Sequence, residues 1–169
     1  HIKTYSDYTE MLDKEPLDFV LIATPTRFHY PMVKMALERG LHVFCEKPFS
    51  LTVSEGEELI RLAGEKGVFN QVGYHNHFIG TFRELKRLLQ AGVLGELVHF
   101  TGEAYGPVVV KEKVGTWRSK SEEGGGCLYD YASHVINLIQ EIIARPVKAS
   151  GTQLKNIFSK GVEDAIYGT

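Results

Sequence analysis

Lys47 stands between Glu46 and Pro48, immediately after the apolar stretch Leu41-His42-Val43-Phe44-Cys45. That is just past the carboxyl end of a buried strand, where open α/β sheets place ligands. A residue before proline is driven out of the helical region, so the backbone at Lys47 is extended or in a turn. X-Pro statistics give a cis Lys47-Pro48 bond at about 5%. The plainer alternative is a solvated loop lysine, since lysines are mostly exposed. A second candidate is Asp130 with His134, four residues on. On a helix that spacing puts both side chains on one face about 6 Å apart at Cβ, and Asn137 continues the face. A carboxylate beside an imidazole can relay a proton near neutrality. An ordinary i,i+4 pair on an exposed surface satisfies the same spacing. Gly124-Gly125-Gly126 precedes the pair and permits close approach of a ligand or of another backbone.

Three further clusters carry polar chemistry. In Tyr74-His75-Asn76-His77 the two imidazoles point the same way if the segment is extended, which suits either metal chelation or a polar rim over a ligand. Spacing identifies no third metal ligand. In Thr24-Pro25-Thr26-Arg27-Phe28-His29 the hydroxyls and amides precede a helix, a setting for an anion or a ribose, although Thr26 can equally be an N-cap. Trp117-Arg118 offers a pocket wall and an anion-holding guanidinium, or simply a cover for the core.

These residues need elements to hold them. The pair Asp7 and Glu10 has capping-box spacing and starts a helix to Lys14. Phe19 to Ala23 is an unbroken apolar run of strand length, the pattern of a strand covered on both faces. A helix through Met32, Val33, Met35, Ala36 and Leu37 stops at Gly40, and a strand covers Leu41 to Cys45. The next helix opens at Ser54 with Glu57 three residues on, turns Leu59, Ile60 and Leu62 inward, and ends at Gly67 before a strand at Phe69 to Gly73. Strands alternating with helices predict right-handed crossovers into a parallel sheet. Beyond Gly73 the pattern changes to a helix at Thr81 to Gln90, a strand at Leu97 to Glu103, a helix at Leu128 to Ile143, and strands at Val147 to Leu154 and Ala165 to Tyr167. The expected fold is α/β: a truncated Rossmann-type parallel sheet over residues 1–75, then an α+β domain with a mostly antiparallel sheet over residues 76–169.

Composition removes several classes of function. With 43% of its 169 residues hydrophobic, the chain can bury one good core or two small ones. Nineteen basic against 21 acidic residues leave a net charge of -2, which gives no electrostatic footprint for nucleic acid or an anionic membrane. Two widely separated cysteines, Cys45 and Cys127, suit free thiols in a reducing cytoplasm. No apolar run approaches the roughly 20 residues of a membrane span.

In order along the chain, Ala23-Thr24-Pro25 with His29, Cys45-Glu46-Lys47-Pro48, Val72-Gly73-Tyr74, Trp117-Arg118, and the glycine run leading to Asp130 and His134 resemble the Gfo/Idh/MocA family of NAD(P)-dependent oxidoreductases. The resemblance implies hydride transfer between NAD or NADP and a carbon of a sugar or polyol. It implies a substrate-binding and proton-transfer role for Lys47, and the acid/base role for His134 with Asp130. Thr24, Pro25, His29, Glu46 and Lys47 fall where the family meets its cofactor, and Tyr74, His75, Trp117 and Arg118 are the expected substrate contacts. The expected partners are the small substrate and further copies of the same chain.

One family feature is missing: the sequence contains no G-x-G-x-x-G turn for the dinucleotide diphosphate. The expectation is an internal fragment that binds NAD(P) weakly by itself. A non-catalytic binding or assembly module derived from the family is the competing reading, and a metal-dependent hydrolase or lyase using His75, His77 and His134 is a third.

Overall fold

A computed structural model describes residues 2–106, 116–157, 159 and 161–169. The chain divides into two compact units, His1–Gly73 and Tyr74–Thr169. No helix among the described residues is long and apolar enough to cross a membrane.

The first unit is a three-stranded parallel sheet in the order β1 (Phe19–Ile22), β2 (His42–Cys45), β3 (Asn70–Val72). Its register sets Phe19 opposite His42, Ile22 opposite Cys45, and Cys45 opposite Val72. Helices α1 (Tyr8–Lys14), α2 (His29–Glu38) and α3 (Val53–Lys66) alternate with the strands. The pleat sends Val20, Ile22, Val43 and Cys45 into a core completed by Leu12, Val33, Ala36, Leu37, Leu59 and Ala63. Coverage on both faces, expected for the first strand, does not hold: Phe19 and Leu21 on the opposite face are 60% and 62% exposed. An unbroken apolar run cannot say which of its faces will be covered.

The helix ends follow local hydrogen bonding. Asp7 accepts from the Glu10 N–H at 2.8 Å, as its spacing predicts. The start of α3 differs from expectation by two residues. Thr52, not Ser54, is the N-cap: its hydroxyl accepts from the Glu55 N–H at 3.3 Å while the Glu55 carboxylate accepts from the Thr52 N–H at 3.1 Å. That reciprocal pair satisfies two helix-start amides, which fixes the register and turns Leu59 and Ala63 inward. Ile60, one position round the helix from Leu59, is 65% exposed, contrary to expectation. Gly67 ends α3 at φ +65°, a left-handed conformation that glycine adopts without strain.

The second unit contains α4 (Gly80–Gln90), α5 (Ser133–Ile142), and the antiparallel pair β4 (Gln153–Lys155) and β5 (Ala165–Tyr167). The expected helix from Leu128 is present, but its first stretch, Leu128–Ala132, is π-helical and runs directly into α5. The strand expected at Leu97 to Glu103 does not form, and residues 97–106 have no regular secondary structure. A strand needs a partner for its backbone groups, and this segment pairs with none among the described residues. It instead passes close over the helix: an added Cβ at Gly102 would meet Val135 at 2.7 Å, and at Gly106 the Tyr131 hydroxyl at 2.0 Å. The strand expected from Val147 shrinks to β4, and Val147 itself is fully exposed.

Candidate active site

In the first unit the candidate residues lie on loops at the carboxyl edge of the parallel sheet, where open α/β sheets place ligands. The Glu46 N–H donates to the Ile22 carbonyl and the Gly73 N–H to the Cys45 carbonyl, each at 2.8 Å, so sheet hydrogen bonding continues into the Lys47 loop. The Lys47-Pro48 bond is cis. Glu46 folds back so that its carboxylate accepts from the Lys47 N–H at 3.2 Å. Its carboxylate also lies against Gly73, where an added Cβ would come within 3.1 Å of Glu46 Oε1.

His29 joins this loop to the one after β1. Its Nδ1 is 2.7 Å from the Pro48 carbonyl oxygen and its Nε2 is 2.9 Å from that of Thr24. The ring, placed by the resemblance beside the cofactor, is only 1% exposed, and both nitrogens meet backbone. This geometry supports a strut between the Thr24-Pro25 and Lys47-Pro48 loops. Thr26 is not a side-chain cap: its neighbour Pro25 precedes the 3-10 turn Thr26–Phe28, and Thr26 Oγ1 is buried with no hydrogen-bond partner.

In the second unit His134 lies among aromatic rings. Tyr74 meets it edge-on at 6.0 Å between centroids and His75 at 5.3 Å. Burial pushes the Tyr74 phenol above its ordinary value, opposed by a hydrogen bond with Ser133. Asp130, on the π-helical stretch, accepts from Arg118 Nε at 3.2 Å, and the Arg118 guanidinium stacks on Trp117 at 4.4 Å. The guanidinium suggested as a holder of substrate anions is thus directed to Asp130. The glycine run serves this packing: an added Cβ at Gly125 would lie 2.4 Å from the Arg118 carbonyl, and the Gly126 N–H donates to that same carbonyl at 3.2 Å.

The two imidazoles of His75-Asn76-His77 do not share a direction. Residues His75–Phe78 form a 3-10 turn rather than an extended segment. His75 goes to His134, while His77 Nε2 donates to Asn137 Oδ1 and its Nδ1 lies 3.8 Å from Glu141. Among the described residues no three His, Cys, Asp or Glu side chains gather as a metal-holding set. Glu163 escaped the sequence reading altogether. Its carboxylate accepts from the Leu128 N–H at 2.9 Å, a contact over 35 positions that no local spacing announces.

Comparison with known proteins matches both units. Residues 1–74 match the family model described as the oxidoreductase family with an NAD-binding Rossmann fold, and residues 82–169 match the GFO/IDH/MocA C-terminal domain. An uncharacterised oxidoreductase of Schizosaccharomyces pombe is 34% identical over 86% of this chain and 39% of its own length. The scyllo-inositol 2-dehydrogenase (NADP(+)) of Bacillus subtilis is 31% identical over 81% of this chain and 38% of its own. Among solved structures, an NAD-binding protein from Listeria innocua aligns with a TM-score of 0.88 and 27% identity, covering 99% of this chain and 47% of that one. The chain therefore spans less than half the length of these relatives. Parallel sheet, ordered motifs and matched units together establish that the chain belongs to the Gfo/Idh/MocA oxidoreductase family.

Proposed function

We propose that this chain carries the reacting residues of an NAD(P)-dependent dehydrogenase acting on a sugar or polyol. The reading rests on one observation above others: in a chain of this family, Tyr74 and His75 gather around His134, at the start of a helix whose Asp130 is held by Arg118. An alcohol carbon can release hydride only if its hydroxyl proton also leaves, so an imidazole at the reacting oxygen is the part the chemistry requires. His134 accepts that proton at a ring nitrogen. By the family resemblance Lys47 serves substrate binding and proton transfer, and an ammonium group can stabilise a developing alkoxide. Asp130 and Arg118 fix the helix that carries the base, and Tyr74 and His75 orient the substrate hydroxyls.

A nicotinamide cofactor, when bound, supplies the hydride acceptor. The residues present fit its nicotinamide end: the loops after β1 and β2 open at the sheet's carboxyl edge, and the first leaves Thr26 Oγ1 without a partner. Thr24, Pro25, Glu46 and Lys47 would hold it there, with His29 bracing their loops. Because the sequence lacks the glycine-rich diphosphate turn, this chain alone binds NAD(P) weakly in our reading. Two buried free cysteines support work in a reducing compartment.

The test is turnover of inositols and aldoses by the full-length protein, followed by reduction of NAD or NADP. His134→Asn and Lys47→Ala should each lower kcat/KM by on the order of 10²- to 10⁴-fold, with circular dichroism unchanged. Wild-type turnover in a folded His134→Asn protein refutes the assignment.

A further inference from the structure

The helix that carries Asp130 and His134 begins under an acidic side chain from much later in the chain. Glu163 Oε1 accepts from the Leu128 N–H at 2.9 Å, and the Glu163 carbonyl accepts from the Cys127 N–H at 3.0 Å. Gly126 has φ +101°, and an added Cβ there would lie 2.2 Å from Glu163 Oε1. The carboxylate fills the space that any other residue at 126 would need. Amides at a helix start have no partner inside the helix, and an anion there also complements the helix dipole.

Glu163 is itself held in place. It lies on the connection between β4 and β5, where Asp164 accepts from the Ile157 N–H at 2.7 Å and from the Ser159 N–H at 2.6 Å. Asn156 Nδ2 donates to the Val162 carbonyl at 2.9 Å, and the Asp164 N–H donates to the Lys155 carbonyl at the same distance. A carboxylate fixed by its own backbone can set the direction of a helix, whereas a freely rotating one only solvates its end.

We propose that Glu163 is a positioning residue for the acid/base group, fixing the start of the Leu128 helix and so the placement of the His134 ring. The assignment of a role to His134 rests on the dehydrogenase reading above. Glu163 acts through the helix and takes no proton in the reaction.

The test compares Glu163→Ala with Glu163→Gln, which keeps a hydrogen-bond acceptor without the charge. In this chain, Glu163→Ala should speed amide exchange at Leu128 by about 10-fold, as for a lost hydrogen bond, and shift the His134 ring resonances. In the full-length protein kcat should fall by on the order of 10- to 100-fold with KM within about 2-fold, and Glu163→Gln should restore most of it. Unmoved His134 resonances, or a wild-type kcat in Glu163→Ala, overturn the proposal. If wild type turns over no sugar or polyol, the dehydrogenase reading fails alone, and the exchange and resonance changes still uphold the positioning. Should Glu163→Ala not fold, Glu163→Asp withdraws the carboxylate by one methylene and is judged on the same two readings.

Discussion

His29 lies between two carbonyl oxygens, those of Thr24 and Pro48, and carbonyls can only accept. Removing the ring takes a donor from these acceptors in a place that water reaches poorly and empties the space between the two loops, so the penalty exceeds that of one ordinary hydrogen bond. His29→Leu should lower the unfolding free energy by roughly 2–4 kcal/mol, and His29→Gln, which can still donate, should recover part of it. Urea denaturation of the three proteins checks this, and a His29→Leu protein within about 0.5 kcal/mol of wild type contradicts the strut. Sequence placed this imidazole near the right loops because Thr24-Pro25 and Glu46-Lys47-Pro48 follow strands. It could not show which atoms the ring meets. The same holds for Asp130: helical spacing pointed to His134, but did not announce the contact with Arg118 from across the glycine run. Side chains on one helix announce themselves by period; contacts made across a loop do not.

At the scale of elements, strands and helices of the first unit were legible because apolar runs and glycine stops recur at short intervals, and each such signal is local. The start of α3 shows how fine the limit is. Both Ser54-x-x-Glu57 and Thr52-x-x-Glu55 have the capping-box pattern, and sequence alone does not choose between them. The structure engages Thr52 and Glu55 reciprocally, while Ser54 reaches only the Thr52 hydroxyl at 3.2 Å. Thr52→Ala should therefore cost about 1 kcal/mol, and Ser54→Ala less than about 0.5. Equal losses from the two, measured by thermal or urea unfolding, would mean that the cap is misassigned. The absent strand at Leu97 to Glu103 failed for a different reason: alternation is a property of the segment, but pairing is a property of a neighbour. Here the glycines at 102 and 106 let the chain lie against Val135 and Tyr131 instead.

For the molecule as a whole, the division of buried groups between the units predicts how stability responds to alkali. Apart from Cys127 and Val162, the buried apolar side chains among the described residues belong to the first unit. Burial pushes two ionisable groups in that unit upward: the Cys45 thiol from 9.0 to about 12, and the Tyr8 phenol from 10.0 to about 12. Tyr8 also donates its hydroxyl proton to the Met32 carbonyl at 3.1 Å, which a phenolate cannot do. In both cases the folded state holds its proton to higher pH than the unfolded chain. Their stabilisation is complete below about pH 9, because neither state has ionised; above it the unfolded chain loses protons first and folding weakens until the folded groups titrate near pH 12. Each group adds a slope of roughly 1.4 kcal/mol per pH unit within its window. Cys127, raised to about 11 by burial and by the nearby Glu163 and Asp164, acts in the same direction over a narrower span in the second unit. Urea midpoints should hold between pH 8 and about pH 9 and then fall as far as pH 11 for wild type. Cys45→Ala should start less stable, since a buried side chain is truncated, yet decline less steeply by about one group's slope. A parallel decline in the two proteins would show that the Cys45 thiol does not govern the alkaline limit, and would leave the phenol of Tyr8 as the group to replace by Phe.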